Sequence, residues 1–136
     1  MLTNFDIENK MHKYEKFMGV YSKNTLPSKR KNGYYIVNMD DDKKGHNGTH
    51  WVMMYISSNG SKYFDSFGVP PPHQIYDYMI KPIEMGNIQI QDLNSDCCGW
   101  FCMYFIKELN KGRKFNSIYK DFNIGFGLLK NDNIVA

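Results

Sequence analysis

The sequence predicts an α+β fold, a small and largely antiparallel sheet packed against helices. Two observations carry this expectation. Aromatic and β-branched residues gather in short runs at Tyr34–Met39, Trp51–Ser57 and Lys62–Ser66, and Asn59-Gly60 joins the last two as a tight hairpin turn. From Cys98 to Asn110, Phe101, Phe105 and Leu109 recur at helical spacing, with Met103 and Ile106 widening the apolar face.

The remaining elements follow in chain order. Thr3 and Asp6 resemble a capping box, and Phe5, Tyr14, Phe17 and Met18 form an apolar stripe, so a helix is expected over residues 5–17. Asp40 to Gly48 is polar and glycine-containing, hence a loop. Gly68 and Pro70-Pro71-Pro72 bar regular structure and lead into a short helix at 73–81. Asn87 to Gln91 alternates Ile with polar residues, as a strand should, and Asp92 to Cys97 connects it to the helix beginning at Cys98. A last helix is expected over 115–122, before a glycine-containing tail. With 136 residues, 42% of them hydrophobic and 15% aromatic, the chain reads as a single domain over 1–136 with ample core. No repeat or low-complexity tract divides it.

Composition excludes several function classes. The longest apolar stretches are only a few residues, too short to span a bilayer, and the N-terminus lacks the basic and apolar regions of a signal peptide. Cys97, Cys98 and Cys102 are too few and too close for a disulfide framework, which implies a reducing compartment. Cys98 and Cys102 have ligand-like spacing, but no second Cys/His pair at finger spacing accompanies them, and no metal is expected. The net charge is +3. Lys29-Arg30-Lys31, and Lys10, Lys13 and Lys16, suit either an ordinary solvated face or contact with nucleic-acid phosphates.

Candidate chemistry begins at Cys98, at the start of the most apolar helix and followed by Gly99. The partial positive charge of a helix N-terminus favours thiolate, the reactive species, and Gly99 leaves room for a substrate carbonyl. A buried structural cysteine is the competing reading. Of the four histidines, His12 and His73 belong to helices with polar surroundings and His46 to a loop, whereas His50 stands where a strand begins, next to Trp51. Asp65 lies among Tyr63, Phe64 and Phe67, so it is expected to be partly buried and to need a partner. Folding the hairpin back at Asn59-Gly60 sets His50 opposite residues 67–69 and brings Asp65 near it, close enough to fix the imidazole tautomer. Gln91, seven residues before Cys98, carries an amide that could donate to an oxyanion.

Taken together, His50-Trp51, Phe64-Asp65-Ser66-Phe67-Gly68, and Gln91-Asp92-Leu93-Asn94-Ser95-Asp96-Cys97-Cys98-Gly99-Trp100-Phe101-Cys102 resemble the adenovirus endopeptidase, adenain. Related proteases of virophages, large DNA viruses and Maverick-type transposons share the pattern. The order His, acid, Gln, Cys is that of the wider ubiquitin-like-protease clan. Phe17-Met18-Gly19-Val20-Tyr21 and Ile36-Val37-Asn38 are similar to the viral enzyme as well. The resemblance implies an adenain-like α+β fold with Cys98 as nucleophile, His50 as general base and acid, Asp65 as orienting acid and Gln91 as oxyanion donor. It also implies a narrow cleft contacted by Trp51 and Gly99. Expected substrates are viral capsid or core precursor proteins cut at Gly-Gly or Gly-X sites, in the virion or the intracellular virus factory. The acid is Asp where adenain has Glu, and no cysteine lies between Met79 and Gln91 to hold a disulfide-linked activating peptide. The chain is expected to act as a monomer, without membrane and with no cofactor needed for the chemistry. DNA, through the basic clusters, or a peptide could still activate it. Two other readings compete: a ubiquitin- or SUMO-directed isopeptidase of the same clan, and a non-catalytic DNA-binding virion protein.

Overall fold

The computed structural model describes residues 2–40 and 50–136. The expected loop lies outside these residues except for Asp40, as does His46. The sheet is built outward from a hairpin of β3 (Trp51–Ser57) and β4 (Gly60–Phe64), paired antiparallel from Ser57↔Gly60 to Met53↔Phe64. Ser58 and Asn59 form the turn, one residue earlier than expected. Gly60 instead opens β4 at φ 140°, where a Cβ would lie 2.6 Å from the Pro82 carbonyl, so only glycine lets the neighbouring chain approach. β2 (Gly33–Asn38) pairs antiparallel with β3, and two further strands complete the order β1-β2-β3-β4-β5.

Those outer strands, β1 (Phe17–Ser22) and β5 (Ile83–Met85), pair parallel with β2 and β4. The expectation of a largely antiparallel sheet therefore holds for the centre and fails at both edges. The first helix, α1, spans only Asn4–Met11, started by the Thr3–Asp6 capping box. Ile7 and Met11 are its buried face, while Phe5 is 74% exposed. Phe17, the last residue of the expected helix, instead opens a strand because a β2 edge is there to receive it; strand formation depends on such context. Asn87–Gln91 keeps its alternation but joins no ladder. Asn87 adopts φ 51°, turning the chain away from the sheet, and the N–H groups of Ile90 and Gln91 both donate to the Ser66 carbonyl instead.

Four more helices complete the fold among the described residues: α2 (His73–Tyr78), α3 (Cys98–Asn110), α4 (Phe115–Ile118) and α5 (Asp132–Val135). α2 stops short of the expected residue 81 because Met79 is extended, and the expected 115–122 helix is α4 followed by a 3₁₀ turn at Tyr119–Asp121. Side chains alternate across the sheet. Tyr34, Ile36, Trp51, Met53 and Phe64 pack toward α1 and α3, and Tyr35, Val37, Val52, Met54 and Tyr63 pack toward Ile75 and Met79 on the other face. β2 is buried along its whole length and β3 along most of it, as a strand covered on both faces must be. Among the described residues, no helix is long and apolar enough to cross a membrane.

Candidate active site

Extending the hairpin register beyond Met53↔Phe64 sets His50 across from Phe67 at the open end of the β3–β4 pair. There the imidazole Nε2 lies 2.9 Å from Asp65 Oδ1. An ionised carboxylate can only accept, so Nε2 carries the proton, and Nδ1 is left for any other partner. Asp65 is 5% exposed and also accepts the Phe67 N–H at 2.8 Å. The Phe67 ring stacks on the imidazole at 4.7 Å between centroids. His50 is thus held by a bond at one edge and a ring across its face.

Cys98 is the first residue of α3 and is 3% exposed. The first bond closed within the helix there is from the Phe101 N–H to the Cys97 carbonyl, 3.0 Å, since the opening N–H groups of a helix have no partner inside it. Burial, the largest influence, works against the His50 imidazolium. Hydrogen bonds to Asp65 and Cys98, with the charges of both, outweigh it and lift the His50 pKa from 6.5 to about 9. Nδ1, the imidazole nitrogen not bonded to Asp65, is buried and has no hydrogen-bond partner among the described residues. The other two thiols differ. Cys97 is half-buried, and burial followed by the charge of Asp132 pushes its pKa up. Cys102 is wholly buried one turn along α3, raised by burial, with its thiol 3.4 Å from the Trp51 carbonyl.

Gln91 is 1% exposed and gripped from both ends. Its Oε1 accepts from the Ser66 hydroxyl, and its Nε2 donates to the Ser95 carbonyl at 3.0 Å and hydroxyl at 3.2 Å. The amide therefore spans from the end of β4 to the loop that leads into Cys98. Trp51 and Gly99, expected to meet substrate, are both buried, and they pack on each other: a Cβ on Gly99 would lie 3.5 Å from the Trp51 ring and 3.2 Å from Leu2. Among the described residues, the buried Trp51 indole N–H has no partner. His12 and His73 are exposed. Gly68, at φ 77°, lets the backbone of Ile88 and Gln89 pass within 2.9 Å of where its Cβ would stand, which brings Gln91 alongside Ser66. Sequence reasoning missed the work of Ser66, Phe67, Ser95, Asn131 and Asp132. Ser66, Phe67 and Ser95 stand within the quoted motifs without a role assigned to them, and the bonds of the folded chain supply one.

The described residues thus form a five-stranded sheet with a His–Asp pair at the open end of its hairpin and a helix that opens on a cysteine. No family model matches the sequence, and no curated protein matches it. Solved structures do match. The crystal structure of the ASFV pS273R protease superposes with a TM-score of 0.66 at 16% identity, covering 99% of this chain and 67% of that one. A second structure, of its selenomethionine form, gives 0.62 at 15% identity with the same coverage. At this identity the likeness is one of fold, and the fold is that of a viral protease.

Proposed function

We propose that this chain is a cysteine endopeptidase with Cys98 as nucleophile, His50 as base and acid, Asp65 as orienting acid and Gln91 as oxyanion donor. The observation that carries this reading is the His50 imidazole, bonded to Asp65 through Nε2 at 2.9 Å and acted on by the Cys98 thiol. In the reaction, the Cys98 thiol gives its proton to His50, and the sulfur bonds to the peptide carbonyl carbon as the carbonyl π bond opens onto oxygen. The resulting oxyanion takes hydrogen bonds from the Cys98 N–H and from the Gln91 amide, whose Nε2 also lies within hydrogen-bond distance of the Ser95 carbonyl and hydroxyl. The C–N bond then breaks, the amine leaving with a proton from His50, and a thioester remains. His50 next takes a proton from water, which displaces sulfur and regenerates the thiol.

Viral capsid or core precursor proteins, cut beside glycine during maturation, are the substrates that the adenain resemblance and the viral-protease fold support. Incubating the chain with such precursors and sequencing new N-termini tests the reading. Cys98→Ala should abolish cleavage and Cys97→Ala should leave most of it; the reverse result sinks the assignment. Release of a ubiquitin-like modifier without precursor cleavage would move the substrate to the isopeptidase class.

A further inference from the structure

The segment after α4 is tied to the loop that precedes Cys98 by a set of bonds that the reaction as written does not use. Ser95 is their centre. Its hydroxyl lies 3.0 Å from Asp132 Oδ1, 3.1 Å from the Cys97 N–H and 3.2 Å from Gln91 Nε2. A hydroxyl has one hydrogen to give and two lone pairs to receive with. The amide and the backbone N–H can only donate, so the hydrogen goes to the carboxylate, which can only accept. Asp132 therefore decides which way the Ser95 hydroxyl faces, and the two remaining lone pairs meet Gln91 and the Cys97 N–H.

Asn131 fixes Asp132 in place. It is 0% exposed, and its Nδ2 donates to the Ile90 carbonyl at 2.8 Å and the Asn123 carbonyl at 2.9 Å, while its Oδ1 accepts the Asn123 N–H at 2.8 Å. Every polar atom of that buried amide is used, and one bond reaches the residue just before Gln91. On the far side, the Ser66 hydroxyl donates to Gln91 Oε1, which sets the orientation of the amide and turns its NH₂ toward Ser95.

We propose that Asp132, acting through the Ser95 hydroxyl, is a positioning residue for the oxyanion donors, aligning the Gln91 amide with the peptide that enters Cys98. The inference rests on the protease reading. It makes the oxyanion site depend on a segment distant in sequence, while His50 makes its hydrogen bond to Asp65, outside this set of bonds.

That separation defines the test. In the full chain, hydrolysis of a fluorogenic peptide ending in Gly-Gly is compared with alkylation of Cys98 by iodoacetamide, followed by mass spectrometry. Alkylation needs the thiolate and His50 but no oxyanion donor. Asp132→Ala should lower kcat by about 10- to 100-fold, less than removal of an oxyanion donor outright. Its Cys98 alkylation rate should stay within about twofold of wild type, the change expected when the oxyanion donors alone are disturbed. Asp132→Asn keeps an acceptor for the Ser95 hydroxyl and should restore most of the lost kcat. Ser95→Ala should reproduce the selective loss and serves in place of Asp132→Ala if that variant does not fold. Unchanged hydrolysis in both variants overturns the proposal, as does a parallel fall in alkylation, which would mark a merely structural role. A wild-type chain that alkylates yet cleaves neither this peptide nor a ubiquitin-like substrate would overturn the protease reading itself. An active wild type with indifferent variants overturns only the positioning.

Discussion

At the scale of single residues, the decisive quantity is the charge on His50. Its pKa lies near 9 in the fold against 6.5 ordinarily, so the folded chain binds this proton more tightly than the unfolded one. The associated stability is fully present below the lower value and is lost as pH rises through the higher. If the imidazolium protonates the leaving amine, kcat/KM should fall on the alkaline side with an apparent pKa near 9. Asp65→Asn should shift that limb toward lower pH and reduce turnover by roughly 10²–10⁴-fold, by analogy with acids that orient a catalytic histidine. A pH–rate profile checks both; a limb that stays put would mean that Asp65 is not what holds the imidazolium. The pair was legible in the sequence because a hairpin fixes its partners locally, so His50 and Asp65 follow from a turn and a count. Asn131, Asp132 and Ser95 were not legible, because their bonds join segments 37 and 41 residues apart with no local pattern to announce them. The choice of Cys98 over Cys97 rested on the neighbouring glycine. The fold adds one physical observation: burial and then the charge of Asp132 push the Cys97 thiol pKa up.

At the scale of elements, the C-terminal end of α3 is clamped by charge. Glu108 takes Lys111 at 2.8 Å and Arg113 at 2.9 Å, and Arg113 continues to Asp121, which also accepts the Tyr104 hydroxyl at 2.6 Å. Hydrogen bonds from Lys111 hold the Glu108 carboxyl below its ordinary pKa, and those from Arg113 do the same for Asp121. The sign is the reverse of the histidine case: this stability is present above the ordinary carboxylate values and is lost as pH falls through the depressed ones. Glu108→Gln should therefore cost about 1–2 kcal/mol near neutrality. The difference from wild type should shrink as pH falls through the depressed pKa of the wild-type carboxyl. Urea unfolding over a descending pH series measures it. α3 itself was readable because its apolar spacing is long and regular. Of β1 only Phe17 falls in the expected helix and the rest is given no element, while β5, at three residues, goes unseen. Both are edge strands whose existence depends on a neighbour's ladder, which no local window contains.

At the scale of the whole molecule, Phe105 joins the layers. It is fully buried, stacks on Phe64 of the sheet at 3.8 Å, and meets Phe115, Tyr119 and Phe122 of the helical side at 5.8, 5.1 and 6.1 Å. Phe105→Ala should lower unfolding free energy by about 3–5 kcal/mol, read from denaturant midpoints. That is a large share of the roughly 5–15 kcal/mol that holds a domain of ordinary stability. The same hairpin that crosses this core carries His50 beyond one strand and Asp65 beyond the other, with the turn at Ser58-Asn59 at the opposite end. Because side chains alternate faces along a strand, one residue added to or removed from that turn would slip the register and send every later side chain to the wrong face. Substitutions in the turn leave the count intact and are open to drift; changes in its length are not. The spacing of His50 and Asp65 is thus written as a number of residues, and the lineage that carries this chain is free to respell the turn but not to lengthen or shorten it.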